Sequence, residues 1–218
     1  MVMLKQLYFW VFATAIFIFA CGKDDGDYTS VNAQQVYPGS TYEYLKSNTG
    51  RFDSLLLLVD RLKLTDTLKT GQYTLFAPTN ASFRFVLENL NAVRKAKNLP
   101  PVYLRQADSA QLDTMLTRYV LAKAYNTEDM NYADGIEFTT VRYQYVMNGR
   151  RRTTNAEGFV GGGPSYAEYS DTKGSKYNRD WVITSTQSVN LVTTTGIVHV
   201  LRDDHAFGFE EFIPRLNK

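Results

Sequence analysis

The sequence predicts an α+β domain, helices first and strands last, and three observations carry that prediction. Apolar residues recur at three- and four-residue spacing through residues 40–62 and again through 108–120, the period of helices that bury one face. From Gly135 onward the period drops to two, as in strands. Between these regions Tyr73–Phe83 (YTLFAPTNASF) compresses a strand, a stop and a helix start. Tyr73, Leu75 and Ala77 alternate as in a half-buried strand, Pro78 ends the ladder, and Thr79 or Asn80 can cap the next helix. Such a junction fixes where a sheet meets its helices, and GIVHVL at Gly196–Leu201 is its expected far partner.

The chain begins with Lys5, an apolar run from Leu7 to Ala20, and then its single cysteine, Cys21, the form of a secretory signal too short to span a bilayer comfortably. Ile18-Phe19-Ala20-Cys21 resembles the lipobox of bacterial lipoproteins, with Phe19 bulkier than the usual residue. That resemblance implies loss of residues 1–20, acylation of Cys21 with palmitate among the chains, and a membrane-anchored mature protein. Residues 21–35 start Gly22-Lys23-Asp24-Asp25-Gly26-Asp27 and show neither period, so they read as a flexible acidic tether. In Bacteroidetes this pattern resembles the signal that sends lipoproteins to the outer face of the outer membrane, so cell-surface display is expected. Residues 36–218 are left for one domain. With 24 basic and 22 acidic residues the net charge is +2, too little to draw in a polyanion, so nucleic acid is not expected as a partner.

Within the domain, Ser40-Thr41-Tyr42-Glu43 has the form of a capping box and predicts a short helix through Tyr44 and Leu45. Phe52, Leu55, Leu58, Val59 and Leu62 mark a second amphipathic helix, and Gly71 ends the helical lead-in. After the Tyr73–Phe83 junction, Val86, Leu87 and Leu90 continue the helix until Leu99-Pro100-Pro101 breaks it. Asp108 with Gln111 opens another helix, carrying Leu112, Met115, Leu116, Tyr119 and Val120 on one side. The alternation Val141, Tyr143, Tyr145, Met147 then predicts a strand that turns at Asn148-Gly149. Trp181–Ser185, Val189–Val192 and Ile197–Leu201 are further strands, and residues 155–179 read as a long inserted loop.

This order resembles the fasciclin (FAS1) domain family. Thr74–Phe83 matches its first box, including Phe76, Ala77, Pro78, Thr79, Asn80 and Phe83, with Ser82 where alanine is usual. Gly196–Leu201 matches the second, including Gly196 and His199, with Arg202 where an acidic residue is usual. The resemblance implies a FAS1-like β-sandwich wedged against N-terminal and central helices, no cofactor, and a role in adhesion or protein interaction rather than catalysis. Fasciclin-like lipoproteins also accompany SusC/SusD-type outer-membrane importers, so an accessory subunit of nutrient uptake, capturing glycan or stabilising the complex, is the alternative. Arg118-Tyr119 stand where animal members carry a Tyr-His pair tied to adhesion, so adhesion through that motif is not carried over.

Chemistry-bearing residues are few. His199 lies between Ile197 and Leu201 on one strand face and is expected to point into the core as a structural histidine. His205 follows Asp203-Asp204, but consecutive residues of a strand cannot all face one ion, so no metal site is expected. No G-x-S-x-G elbow or P-loop occurs, and no enzyme is expected. The densest basic run, Arg150-Arg151-Arg152, is expected at a hairpin tip, open to an anionic partner or glycan. Tyr166 and Tyr169 are expected to be exposed on the inserted loop, where aromatic rings can anchor a protein or stack on a sugar. Four Asp-Ser and Asp-Thr pairs, at residues 53–54, 66–67, 108–109 and 113–114, resemble Bacteroidetes O-glycosylation acceptors.

Overall fold

The computed structural model describes residues 35–156, 158 and 160–218; the leader, Cys21 and the tether before Gln35 lie outside the described residues. The first helix, α1 (Thr41–Ser47), starts on the expected capping box. The Ser40 hydroxyl accepts from the Glu43 N–H, and the Glu43 carboxylate accepts from the Ser40 N–H at 2.7 Å. α2 (Asp53–Arg61) buries Leu55, Leu58 and Val59, and α3 (Thr65–Lys69), a separate short helix, adds Leu68.

β1 (Tyr73–Ala77) is buried along its whole length, not on one face as its alternation suggested. The reason is position: β1 is an interior strand, antiparallel to β2 (Val120–Leu121) and parallel to β7 (Gly196–Leu201) in the register Tyr73↔Gly196 to Ala77↔Val200. The two motifs are thus neighbouring strands. Gly196 sits at φ +148°, and a Cβ there would collide with the Tyr73 carbonyl.

α4 (Asn80–Ala96) begins after Thr79, but neither candidate caps it with its side chain. Thr79 Oγ1 donates instead to Asp203 at 2.7 Å, and Asn80 accepts from the Ser54 N–H (2.9 Å) while donating to Asp53, tying α4 to the start of α2. Asp108 does cap α5 (Ser109–Leu116), accepting from the Ala110 and Gln111 N–H groups. Gln111 does not complete the box; it accepts from Arg215 of the last helix, α6 (Phe212–Leu216).

The strand order is β2-β1-β7-β6-β5-β4-β3. β3 (Ile136–Thr139) and β4 (Val146–Thr153) form a hairpin whose turn lies at residues 141–144, with Tyr143 and Gln144 at φ +62° and +46°. This corrects the turn expected at Asn148-Gly149. Both residues sit inside the ladder, opposite Glu137 and Ile136, and Gly149 is glycine because the Phe138 ring fills the space of its Cβ. The Arg150–Arg152 run is therefore mid-strand and not a hairpin tip. The supposed 155–179 loop contains β5 (Ser165–Asp171), paired to β4 and to β6 (Val182–Thr193). β6 is one long strand with register shifts between Thr186 and Leu191, where two strands were expected.

Phe76 of β1 stacks on Tyr169 of β5 at 3.7 Å although β7 and β6 intervene in the sheet, so its two halves face each other across the core. A bridge between Leu121 and Thr140, with the Ala122 N–H donating to Thr139 at 3.0 Å, brings the terminal strands β2 and β3 together and nearly closes the sheet into a barrel. Phe83 packs on Phe207 at 4.3 Å, seating the helices against one end.

Candidate functional site

Strand parity decides which side chains reach solvent. In β4 and β5 the cross-strand pairs alternate: Gly149↔Tyr169 and Arg151↔Ala167 face one way, Arg150↔Glu168 and Arg152↔Tyr166 the other. The basic triplet is thereby split. Arg150 donates to Glu168 at 2.7 Å and Arg152 donates to the same carboxylate at 3.0 Å, while Arg151 turns to Glu128 and Ser165. Burial of Glu168 raises its pKa, but hydrogen bonds from Arg150 and Arg152 outweigh that and hold it below the usual range. Arg152 is exposed and Tyr166 half-buried on this outer face. Tyr169 is the opposite of what was expected: it is fully buried, its hydroxyl donating to the Arg118 carbonyl, and it cannot meet a partner.

The same outer face runs into a groove of about 400 Å³ between the start of β6 and residues 204–210. The groove exists because β7 ends early. Its ladder with β6 begins at Thr186↔Leu201, and past it the Arg202 N–H donates one more backbone hydrogen bond to the Ser185 carbonyl at 3.0 Å. Tyr166, Glu168 and Ile183 line one side, Asp204, Phe209 and Glu210 the other.

His205 also lines the groove but is not poised as a base. The Tyr119 hydroxyl accepts from the Gly208 N–H (2.7 Å), so its own proton goes to His205 Nε2 at 2.7 Å. Burial drives the His205 pKa down to about 3, only partly opposed by Asp204, and keeps the ring neutral. His199 is buried as expected. Its Nδ1 accepts from the Asn190 N–H, its Nε2 donates to the Tyr125 carbonyl at 3.0 Å, and burial lowers its pKa to about 4. Among the described residues no three His, Cys, Asp or Glu side chains group as metal ligands.

Next to the groove lies an ionic cluster that the sequence did not disclose. Arg118 is buried and pairs with Asp171 at 2.7 Å and Glu211 at 2.9 Å, with its guanidinium 4.6 Å from the Tyr145 ring centre. Lys173 reaches Asp171 and Glu211 at 3.5 and 3.3 Å, and Arg215 also holds Glu211. Burial raises the Glu211 pKa, yet hydrogen bonds from Arg215 and Arg118 bring it down to about 2. Burial and the hydrogen bond to Asp171 push the Tyr145 hydroxyl up to about 12. Every acid here is matched by cations, so the cluster locks β5 and the C-terminal segment to the Arg118 turn rather than offering a reactive group.

The Fasciclin domain family model matches residues 50–203, more than two-thirds of the chain, and the chain belongs to that family. Its members are generally adhesion-type domains without enzymatic activity, associated with adhesion or protein interaction. Among solved structures, a FAS1 domain pair from the insect cell adhesion molecule fasciclin I aligns at 16% identity with a TM-score of 0.41, covering 78% of this chain and 44% of that one. This chain therefore spans less than half of the solved relative. Comparison with curated proteins gives no match.

Proposed function

We propose that this protein is a lipid-anchored, surface-displayed binding module that holds a partner protein through the outer face of β4–β6, without catalysis. The observation that carries the reading is the continuity of Arg152, Tyr166 and the groove on one face. The carboxylate of Glu168 pins Arg150 and Arg152, so the face is preorganised rather than a set of loose side chains. Its mix of arginine, tyrosine and carboxylate suits a protein interface with a polar rim. The anchor rests on Cys21 and display on the acidic tether. Cys21→Ala is expected to release the protein from membranes, and protease added to intact cells is expected to degrade it.

The test is tagged purification from gently solubilised outer membranes. A partner recovered with the native chain and lost with Arg152→Glu/Tyr166→Ala, at unchanged melting temperature, supports the reading. Recovery that ignores both substitutions refutes it. If the partner is a SusC/SusD-type importer in stoichiometric amount, the module serves nutrient uptake; if it is another surface protein, it serves adhesion.

A further inference from the structure

We propose that Val182–Ser185 of β6 is an acceptor edge for an extended segment of the partner, which adds there as a short extra strand and sets a Lys or Arg against Asp204 and Glu210. The proposal rests on the reading of this face as a protein-binding one.

On one side these four residues pair fully with β5, from Glu168↔Ser185 to Asp171↔Val182. On the other side, beyond the Ser185 carbonyl that the Arg202 N–H holds, they pair with no strand among the described residues, because β7 stops opposite Thr186. The Ser185 carbonyl points to that side, where it accepts from Arg202, and strand periodicity turns the Ile183 N–H and C=O to the same side two residues earlier. That side is the one on which Ile183 lines the groove, and among the described residues no turn or loop backbone hydrogen bond reaches either group. A strand edge left open in this way is a template for an added strand. The volume of about 400 Å³ suits roughly three residues of extended chain, about 10 Å of strand.

Charge selects the occupant. Glu210 is exposed and forms no ion pair among the described residues. Among the described residues Asp204 has only an exposed ion pair with Arg202 at 3.3 Å, which a better-placed cation can replace. The Ile183 side chain is half exposed beside Tyr166, giving an apolar shelf for a flanking residue. A second copy of this chain offering the same edge fits poorly, since Val182–Gln187 contains no basic residue to meet the acids.

The test uses the full chain in detergent with the pentapeptide acetyl-Thr-Val-Arg-Val-Thr-amide and its Arg-to-Glu counterpart, read by amide exchange. At saturation the arginine peptide is expected to slow exchange at Ile183 about tenfold or more and to bind at least about tenfold tighter than the glutamate peptide. Asp204→Asn/Glu210→Gln, on exposed positions, is expected to erase that preference. Ile183→Pro, which removes the N–H facing the groove, is expected to abolish binding, whereas Ile183→Ala, which removes the shelf and keeps the N–H, is expected only to weaken it. Unchanged Ile183 exchange under saturating peptide, equal binding of both peptides, or protection that appears only with self-association would each overturn the proposal. If photo-crosslinks from position 166 capture a partner while Ile183 exchange stays unaltered by the peptide, the face stands and the strand edge falls; absent crosslinks strike at the face itself.

Discussion

Two neutral histidines inside the core make the stability of this domain depend on pH. The folded pKa values of His199 and His205, about 4 and about 3, lie below the unfolded value near 6.5. Their contribution is complete above pH 6.5 and is lost as pH falls toward those folded values, because the unfolded chain takes up the proton first. For His199 alone the loss amounts to ~3 kcal/mol. Glu211 adds a second decline that begins only near pH 4.5 and runs to about 2. Urea unfolding should show a falling midpoint from pH 7 to 4.5, lessened in His199→Asn; a flat profile would count against the buried-neutral assignment. Arg118→Met should cost about 3–5 kcal/mol by leaving the more distant Lys173 ammonium, at 3.5 Å, as the cation beside the buried Asp171, and Arg118→Met/Asp171→Asn should recover part of that in the same assay.

At the scale of elements, what was legible was what is locally encoded. The Ser40-Glu43 box and the Asp108 cap operate within three residues, and both formed. The Asn148-Gly149 pair misled because Gly149 answers to Phe138 on the neighbouring strand and not to a turn. β5 escaped because its inward positions are Ala167, Tyr169 and Asp171, and the acid breaks the apolar alternation. Its partner Arg118 lies 53 residues away, beyond any local pattern. Gly149→Ala should destabilise by about 1–3 kcal/mol through displacement of the Phe138 ring. Conversely, Gln144→Gly should raise stability by up to ~1 kcal/mol, since Gln144 holds a left-handed conformation at φ +46°. Thermal denaturation of the two variants checks both signs.

For the described domain as a whole, the two boxes at Thr74–Phe83 and Gly196–Leu201 revealed the family because they are adjacent central strands whose sequences answer to each other. The candidate face was only half legible. Arg150, Arg152 and Tyr166 share one side, whereas Arg151 and Tyr169 have the opposite parity, a consequence of a ladder register unreadable without knowing that β5 exists. The groove was invisible, because it arises where β7 ends before β6 does and the chain turns back through Phe209 and Glu210. The most direct measurement of the central claim is photo-crosslinking on intact cells, with the reactive residue placed at position 166 on the outer face or at position 95 on exposed α4. The outer-face reading predicts one discrete protein adduct from position 166 and none from 95. Adducts from position 95 alone, or equally from both, would contradict it.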